Sequence, residues 1–206
     1  MMNKARGPVW HQKQKKQGII PKGLKGIDRE ATWSKSQADG WVYGYGSFSF
    51  TSHEIPVLGC FILIKNSRNE SKTMWFETGH YKGLIDYVVM DSKADDYALF
   101  RELKRQSKIT LITRCGRNMI KSPERNYMFQ VTEQPEHKEL YQQRCHTVEP
   151  MQGLVKDIFE LEHCWMRGEQ NNRWLFAAMG LVIQMCQLRA YRENRSTLKI
   201  KDEVLG

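Results

Sequence analysis

The 206-residue sequence predicts an α/β fold, with a mixed sheet flanked by helices around one core. Short runs of β-branched and aromatic residues alternate along the chain with segments of helical periodicity. Two longer helical segments follow near the carboxyl end. Alternation of strands and helices is typical of α/β domains, and a chain of this length can bury one sizeable core.

Strands are predicted where apolar residues form short runs bounded by turn residues. In the first of these, Gly44 and Gly46 are weak points. A turn at residues 53–56 leads to the second run, which is apolar enough to be buried on both faces. The four predicted strands are residues 41–50, 57–64, 87–90 and 109–113.

Helices are predicted over residues 70–79 and 95–106, and two more close the chain. One of the closing helices carries Glu149. The other runs from residue 172 to residue 191, and its predicted apolar face, spaced for a helix, comprises Leu175, Ala178, Val182 and Met185.

Three regions follow from composition. Residues 1–40 carry Gly, Pro and a basic patch with little periodicity, so they are predicted to be an irregular arm. Residues 41–192 hold the predicted elements, interrupted at 115–140 by a polar stretch expected to be a connecting excursion. Residues 193–206 are expected to be a basic tail.

The charge of the chain favours a polyanionic partner. Thirty-two Lys and Arg residues against 23 Asp and Glu residues give +9 and a pI near 9.3. Five cysteines, without a Cys-x-x-Cys pair, argue for a reducing compartment rather than a disulfide framework. No signal peptide is expected, and the longest apolar stretch, residues 174–186, is too short to span a membrane. A soluble, cytosolic protein is expected.

One acid and one lysine occupy the same predicted helical face. Glu149 and Lys156 lie seven residues apart, so both point the same way from a helix at ~100° per residue. A second stripe would seat this helix on the core: Val148, Met151, Val155 and Ile158. Glu149 is therefore predicted to be presented near the start of a helix, where a purely structural first-turn acid remains an alternative.

A second candidate acid, Asp91, follows the apolar run Tyr87-Val-Val-Met90. The carboxyl end of a buried strand is where open α/β sheets place their chemistry. The alternative is that Asp91 caps the helix that follows it.

These residues together resemble the DDE transposases of bacterial insertion sequences. The family signature is Tyr, two residues, Arg, three residues, Glu, six residues, Lys. The chain has Tyr141, Arg144, Glu149 and Lys156, with four residues instead of three between Arg144 and Glu149. Asp91 matches the second acid of the family, in Val-Val-Met-Asp-Ser-Lys-Ala-Asp-Asp-Tyr. The likeness extends over roughly residues 4–192, including Trp41-Val-Tyr-Gly-Tyr-Gly and Asn171-Asn-Arg-Trp.

The resemblance implies a ribonuclease H-like fold that lacks its first, central strand. In the family that strand carries the first catalytic Asp, just before a segment similar to Lys4-Ala-Arg-Gly-Pro-Val-Trp-His11. Asp28 is the early candidate to replace it, but it follows Pro21, Gly23 and Gly26, a context more typical of a turn or a helix cap. Without the central strand, two part-sheets with open edges and a marginally stable chain are expected unless the arm or a partner fills the gap.

The resemblance also implies a chemistry. Asp91 and Glu149 would bind Mg²⁺, with Mn²⁺ as a substitute, for hydrolysis at transposon ends and strand transfer into target DNA. Lys156 and Arg144 would contact backbone phosphate, and Tyr141 would pack against the DNA backbone or belong to the core. Loss of the first acid is expected to lower or abolish activity. The implied location is the bacterial cytoplasm at the nucleoid, and homodimerisation is left open.

Two other functions fit the same sequence. One is a non-catalytic DNA-binding protein in which the basic arm and tail contact DNA and the acids are structural. The other is a general nuclease of ribonuclease H type. A transposase would nick DNA in the presence of magnesium, whereas the non-catalytic DNA-binding protein would not. A general nuclease would cut DNA without preference for transposon ends.

Overall fold

A computed structural model describes residues 2–22, 24–36, 40–65, 70–116 and 122–205. The chain is mixed α/β, as the sequence predicts. It forms two compact units, Met1–Arg68 with His146–Gly206, and Asn69–Cys145. The long helix α5, Pro135–Phe159, contributes residues to both.

The first unit is built on a four-stranded antiparallel sheet. Its long strand β3, Gly40–Thr51, pairs with all three others, and its register with one of them shifts between Phe50 and Thr51, where Gly59 is the extra residue on the partner strand. The partners are β1 (Met2–Lys4), β2 (Thr32–Ser36) and β4 (Leu58–Lys65). The predicted β3–β4 hairpin is confirmed. Leu58, Phe61 and Leu63 of β4 are buried, whereas Cys60 and Ile62 on its other face are half-buried, so full burial on both faces was wrong.

The prediction of an irregular arm over residues 1–40 was wrong in three segments. Besides β1 and β2, the short helix α1 spans Gln12–Lys16. Asn3 of β1 lies opposite Tyr45 of β3, and Trp33 of β2 lies opposite Tyr43 of β3. Both strands are too short and too polar to show alternation, so pairing with β3 rather than local propensity defines them.

Strand β1 is covered along its other side by the chain after α5. The Lys4 N–H donates to the Glu162 carbonyl at 2.9 Å, and the Cys164 N–H donates to the Lys4 carbonyl at 2.7 Å. The Asn3 side chain is fully buried and donates to the Leu161 carbonyl at 2.5 Å. The arm therefore supplies a short strand where the resemblance led us to expect an open edge.

Helix α6, Glu169–Arg192, packs on β4. Phe176 stacks on Phe61 with ring centroids 4.9 Å apart. The predicted apolar face was wrong, because Ala178, Val182 and Met185 are exposed. The buried face comprises Phe176, Met179, Gly180, Ile183, Gln187 and Ala190.

Residues 193–205 pack as part of the first unit, so the expectation of a tail was wrong for them, and residue 206 lies outside the described part of the chain. Thr197 and Ile200 are buried, and α7 spans Lys201–Leu205. The fully buried Gln187 side chain donates to the Thr197 carbonyl at 3.0 Å and accepts from the Leu58 N–H at 2.9 Å. One α6 side chain thereby joins the end of the chain to β4.

The second unit is a parallel strand pair covered by helices. Strands β5 (Tyr87–Val89) and β6 (Thr110–Ile112) pair in parallel, with Val88 opposite Leu111. Its other elements are α2 (Glu70–Gly79), a 3₁₀ turn (Ser92–Ala94), α3 (Tyr97–Glu102) continued by a π-helical turn (Leu103–Ser107), and α4 (Pro123–Thr132). Its buried side chains include Leu99, Phe100, Leu103, Ile109, Leu111 and Met128.

Two predictions in this unit need correction. The helix predicted from residue 95 begins at Tyr97, because the Asp96 carboxylate caps it by accepting from the Ala98 N–H at 2.9 Å. The predicted excursion over residues 115–140 is helical, with Ser122 capping α4 and Pro135 opening α5. Residues 117–121 lie outside the described part of the chain.

Among the helices of the described residues, none combines the length and the apolar character needed to cross a bilayer.

Candidate functional site

Helix α5 presents Glu149 and Lys156 together. Both side chains are exposed, and their spacing places them on one face, two turns apart. On the opposite side Met151, Val155 and Ile158 are buried. The predicted placement of an acid and a lysine on one face is confirmed, and the predicted apolar stripe is confirmed for these three residues, whereas its fourth member, Val148, is half-buried.

Glu149 lies in the interior of its helix. Because α5 begins at Pro135, Glu149 is far beyond the first turn. The prediction that it sits near a helix start was wrong, and so is the alternative that it is a first-turn acid held by the helix dipole. The next residue, Pro150, has no N–H to offer the carbonyl one turn earlier, so the backbone ladder is interrupted beside the acid.

Tyr141 and Arg144 lie one turn apart on α5, within the second unit. The Arg144 guanidinium stands 5.4 Å from the centroid of the Tyr141 ring. Both side chains are half-buried. The Tyr141 ring is therefore neither buried in the core nor fully exposed, and its contact with Arg144 holds that cation at the helix surface.

Asp91 lies just after β5, as predicted, and its carboxylate caps the 3₁₀ turn. One oxygen, Oδ1, accepts from the Lys93 N–H at 3.0 Å. The Asp91 carbonyl accepts from the Thr113 hydroxyl at 2.6 Å, which ties the residue to the end of β6. This geometry matches the capping alternative and leaves the residue half-buried at the carboxyl end of a strand.

Asp28 is buried, with only 2% of its surface exposed, and its carboxylate has several donors. The Tyr45 hydroxyl contacts both oxygens at 2.9 Å. The Glu30 N–H donates to Oδ1 at 3.1 Å, and the Gly168 N–H donates to Oδ2 at 2.9 Å. Asp28 thus closes a turn and caps the amino end of α6, in agreement with the turn or cap interpretation.

Burial beside this carboxylate raises the pKa of neighbouring groups. Burial and then the negative charge of Asp28 raise the pKa of Tyr43 to about 12 and that of the Cys164 thiol to about 12. The pKa of Tyr45 is raised further by the same two causes and by its hydrogen bond to Asp28. These groups stay protonated near neutral pH, so Tyr45 remains a hydrogen-bond donor to the carboxylate.

The predicted acids are distributed over both units. Glu149, Lys156 and Asp28 belong to the first unit, and Asp91 belongs to the second with Tyr141 and Arg144. Across residues 2–22, 24–36, 40–65, 70–116 and 122–205, no three His, Cys, Asp or Glu side chains form a group that could hold a metal ion. With the Asp28 oxygens engaged by three donor groups, the described residues do not by themselves fit a magnesium centre of three carboxylates.

Sequence reasoning missed two polar contacts around the candidate acids. Asp95 forms an ion pair with Arg125 at 2.6 Å, and both side chains are largely buried. The Glu30 carboxylate accepts from the Glu169 N–H beside Asp28. The only sequence signal for the second contact is the order Asp28-Arg-Glu30, which is too common to predict a cap for a helix 140 residues away.

All five cysteines are present as thiols rather than in disulfide bonds. Cys164 is buried and its raised pKa makes it a poor nucleophile, while Cys145 is exposed.

No protein-family model matches the chain, and no curated protein and no solved structure matches it. The likeness to DDE transposases therefore depends on the residues quoted for it.

Proposed function

We propose that the chain is a DNA-binding protein of DDE-transposase descent, with a ribonuclease H-like fold, and that α5 supplies its main DNA contact. The observation that carries the proposal is the exposed pair Glu149 and Lys156 on one face of a helix whose other face is buried. A lysine there neutralises a backbone phosphate without reading sequence. The net charge of +9 supplies long-range attraction for DNA.

The remaining signature residues fit contacts with a phosphate backbone. Arg144 is held against the Tyr141 ring, which limits the freedom of its guanidinium, a group whose planar geometry suits phosphate. Lys156 lies in the last turn of α5. The two cations therefore differ in chemistry: the Arg144 guanidinium is planar and oriented by the ring, and the Lys156 ammonium is a point charge on a flexible side chain.

Asp91 and Glu149 are the acids that the resemblance assigns to Mg²⁺ or Mn²⁺, and carboxylate oxygens suit these hard cations. Such ions would supply activation of water or a 3′-hydroxyl at a phosphodiester. We propose that Asp28 stabilises the fold instead of acting as the third acid, because its carboxylate is buried and accepts from the Tyr45 hydroxyl and the Gly168 N–H. With Asp91 and Glu149 alone, we propose that the chain binds DNA and does not carry out efficient cleavage or strand transfer.

Iron-directed protein cleavage tests the metal assignment without requiring catalysis. Fe²⁺ takes the place of Mg²⁺, and with ascorbate and peroxide it generates hydroxyl radicals that cut the backbone close to wherever iron is bound. We expect cuts near residues 91 and 149 that excess Mg²⁺ suppresses. Glu149→Gln should remove the cuts near residue 149 and Asp91→Asn those near residue 91, while Asp157→Asn, an exposed acid on the same helix as Glu149, should leave both unchanged.

A second candidate function is a non-catalytic DNA-binding protein whose acids are structural. The capping bond from the Lys93 N–H to Asp91 favours it. In that case DNA binding persists, but the iron cuts are absent or are unaffected by Glu149→Gln.

A further inference from the structure

Helix α6 has two apolar faces, and β4 covers one of them. On the covered face Gly180 approaches β4 so closely that an added Cβ would lie 3.2 Å from the Phe61 Cβ. The other face carries large exposed apolar side chains. Their exposed fractions are 70% for Trp174, 57% for Leu181, 65% for Met185 and 51% for Leu188.

These side chains form a continuous stripe. At ~100° per residue, each of Trp174, Leu181 and Leu188 is turned by about 20° from the next, so the three lie within about 40° of one another and extend over roughly 20 Å of helix. Ala177 and Ala178 are exposed between the first two. We call these six residues the α6 stripe: Trp174, Ala177, Ala178, Leu181, Met185 and Leu188. A helix that is apolar on two opposite sides is typical of one that is buried on both.

All residues of the α6 stripe except Ala178 are symmetric in position about Leu181. Trp174 and Leu188 lie seven residues to either side of it, and Ala177 and Met185 lie four residues to either side. The stripe also ends in polar residues at equal distances, Gln170 and Arg192, both exposed. A two-fold axis at Leu181 would therefore place Leu181 against its own copy, Trp174 opposite Leu188 and Ala177 opposite Met185.

We propose that the α6 stripe is the interface between two copies of this chain, which pack α6 against α6 antiparallel about Leu181. In this arrangement Trp174 faces Leu188 of the second copy, and Ala177 faces Met185. Interdigitation of large and small side chains is what close helix packing requires. Parallel pairing would instead set Trp174 against Trp174 and Ala177 against Ala177, with the helix dipoles aligned.

The size of the α6 stripe fits a second copy. With its neighbours Val182 and Tyr191, which are 41% and 54% exposed, it offers roughly 600 Å² of largely apolar surface on each chain. Doubled, that reaches the lower end of the 1,200–2,000 Å² typical of specific interfaces. An exposed apolar patch of this extent is at the upper limit for a monomer.

Sedimentation velocity on the full chain tests the proposal. We expect a species of twice the 24.2 kDa chain mass that dissociates on dilution. Leu181→Glu would bring two carboxylates together at the axis and should raise the dimer dissociation constant at least about 100-fold. Leu84→Glu is the matched control, because Leu84 is 78% exposed outside α6, and it should leave the dimer unchanged.

Disulfide trapping tests the orientation in a background lacking Cys60, Cys145 and Cys186. Leu181→Cys should cross-link to itself on mild oxidation. Trp174→Cys alone should not, but a mixture of Trp174→Cys and Leu188→Cys should give the mixed dimer.

Three results would overturn the proposal. They are a monomer at every concentration, a dimer that Leu181→Glu does not weaken while circular dichroism shows it folded, and self-cross-linking of Trp174→Cys with no mixed product. Because DNA and metal are absent from these experiments, their outcome is independent of the proposed function.

Discussion

Replacing Asp28 by Ala is expected to lower the free energy of unfolding by about 3–5 kcal/mol. The substitution leaves the fully buried Tyr45 hydroxyl and the Gly168 N–H without their acceptor. It also removes the cap from the amino end of α6, the helix that covers β4. Urea unfolding followed by tryptophan fluorescence measures the loss.

Two further variants make this prediction specific. Asp28→Asn keeps one oxygen acceptor and should lose less stability than Asp28→Ala. Asp91→Ala removes one capping bond and should cost about 1 kcal/mol. If Asp28→Ala is as stable as the unmodified chain but abolishes metal-dependent cutting of DNA, Asp28 is a metal ligand and the structural interpretation is wrong.

Replacing Gly44 by Ala is expected to detach β1 and to destabilise the first unit by about 3 kcal/mol or more. A Cβ at Gly44 would lie 1.9 Å from the Asn3 carbonyl oxygen and 2.9 Å from the Ala5 nitrogen, both of them backbone atoms. Separation of the strands would break the 2.9 Å bond from the Ala5 N–H to the Tyr43 carbonyl. It would also expose the Asn3 side chain, which the Ser47 hydroxyl contacts at 2.7 Å.

Hydrogen exchange and chemical unfolding together test this second prediction. The amides of Lys4 and Ala5 should exchange faster in Gly44→Ala, and the unfolding midpoint should fall. Gly79→Ala is the control, because an added Cβ there meets nothing within 4 Å. Unchanged protection of Lys4 and Ala5 in a stable Gly44→Ala variant would show that β1 does not fill the sheet edge.

The main strands and helices could be predicted because their signals are local. Strands β3 to β6 and helix α2 follow runs of apolar residues or helix formers. Strands β1 and β2 have no such signal. In β1 the residue that is fully buried is the polar Asn3, whose side chain donates to the Leu161 carbonyl and accepts from the Ser47 hydroxyl. Pairing with a distant segment defines these strands, and periodicity does not report it.

The buried face of helix α6 could not be predicted either, for a different reason. Apolar residues lie on two sides of this helix, so periodicity alone could not show which side is buried. Gly180 marks the face that packs on β4, because an added Cβ there would lie only 3.2 Å from the Phe61 Cβ. Gly180 was visible in the sequence, but its partner on β4 was not.

The candidate site was predictable in part. The seven-residue spacing of Glu149 and Lys156 and the buried stripe behind them follow from helical geometry alone. The start of α5 could have been found from Pro135, since Pro is favoured in the first helical turn. The burial of Asp28 could not, because its donors come from β3 and from the start of α6.

The salt dependence of DNA binding tests the central claim most directly, with a fluorescent duplex of arbitrary sequence and three forms of the chain. We expect log affinity to fall linearly with log salt, and Lys156→Ala to reduce the slope by about 1. Lys199→Ala, an exposed lysine of the C-terminal segment, should leave the slope unchanged. A slope near zero, or one that depends on Lys199 and not on Lys156, would contradict the account.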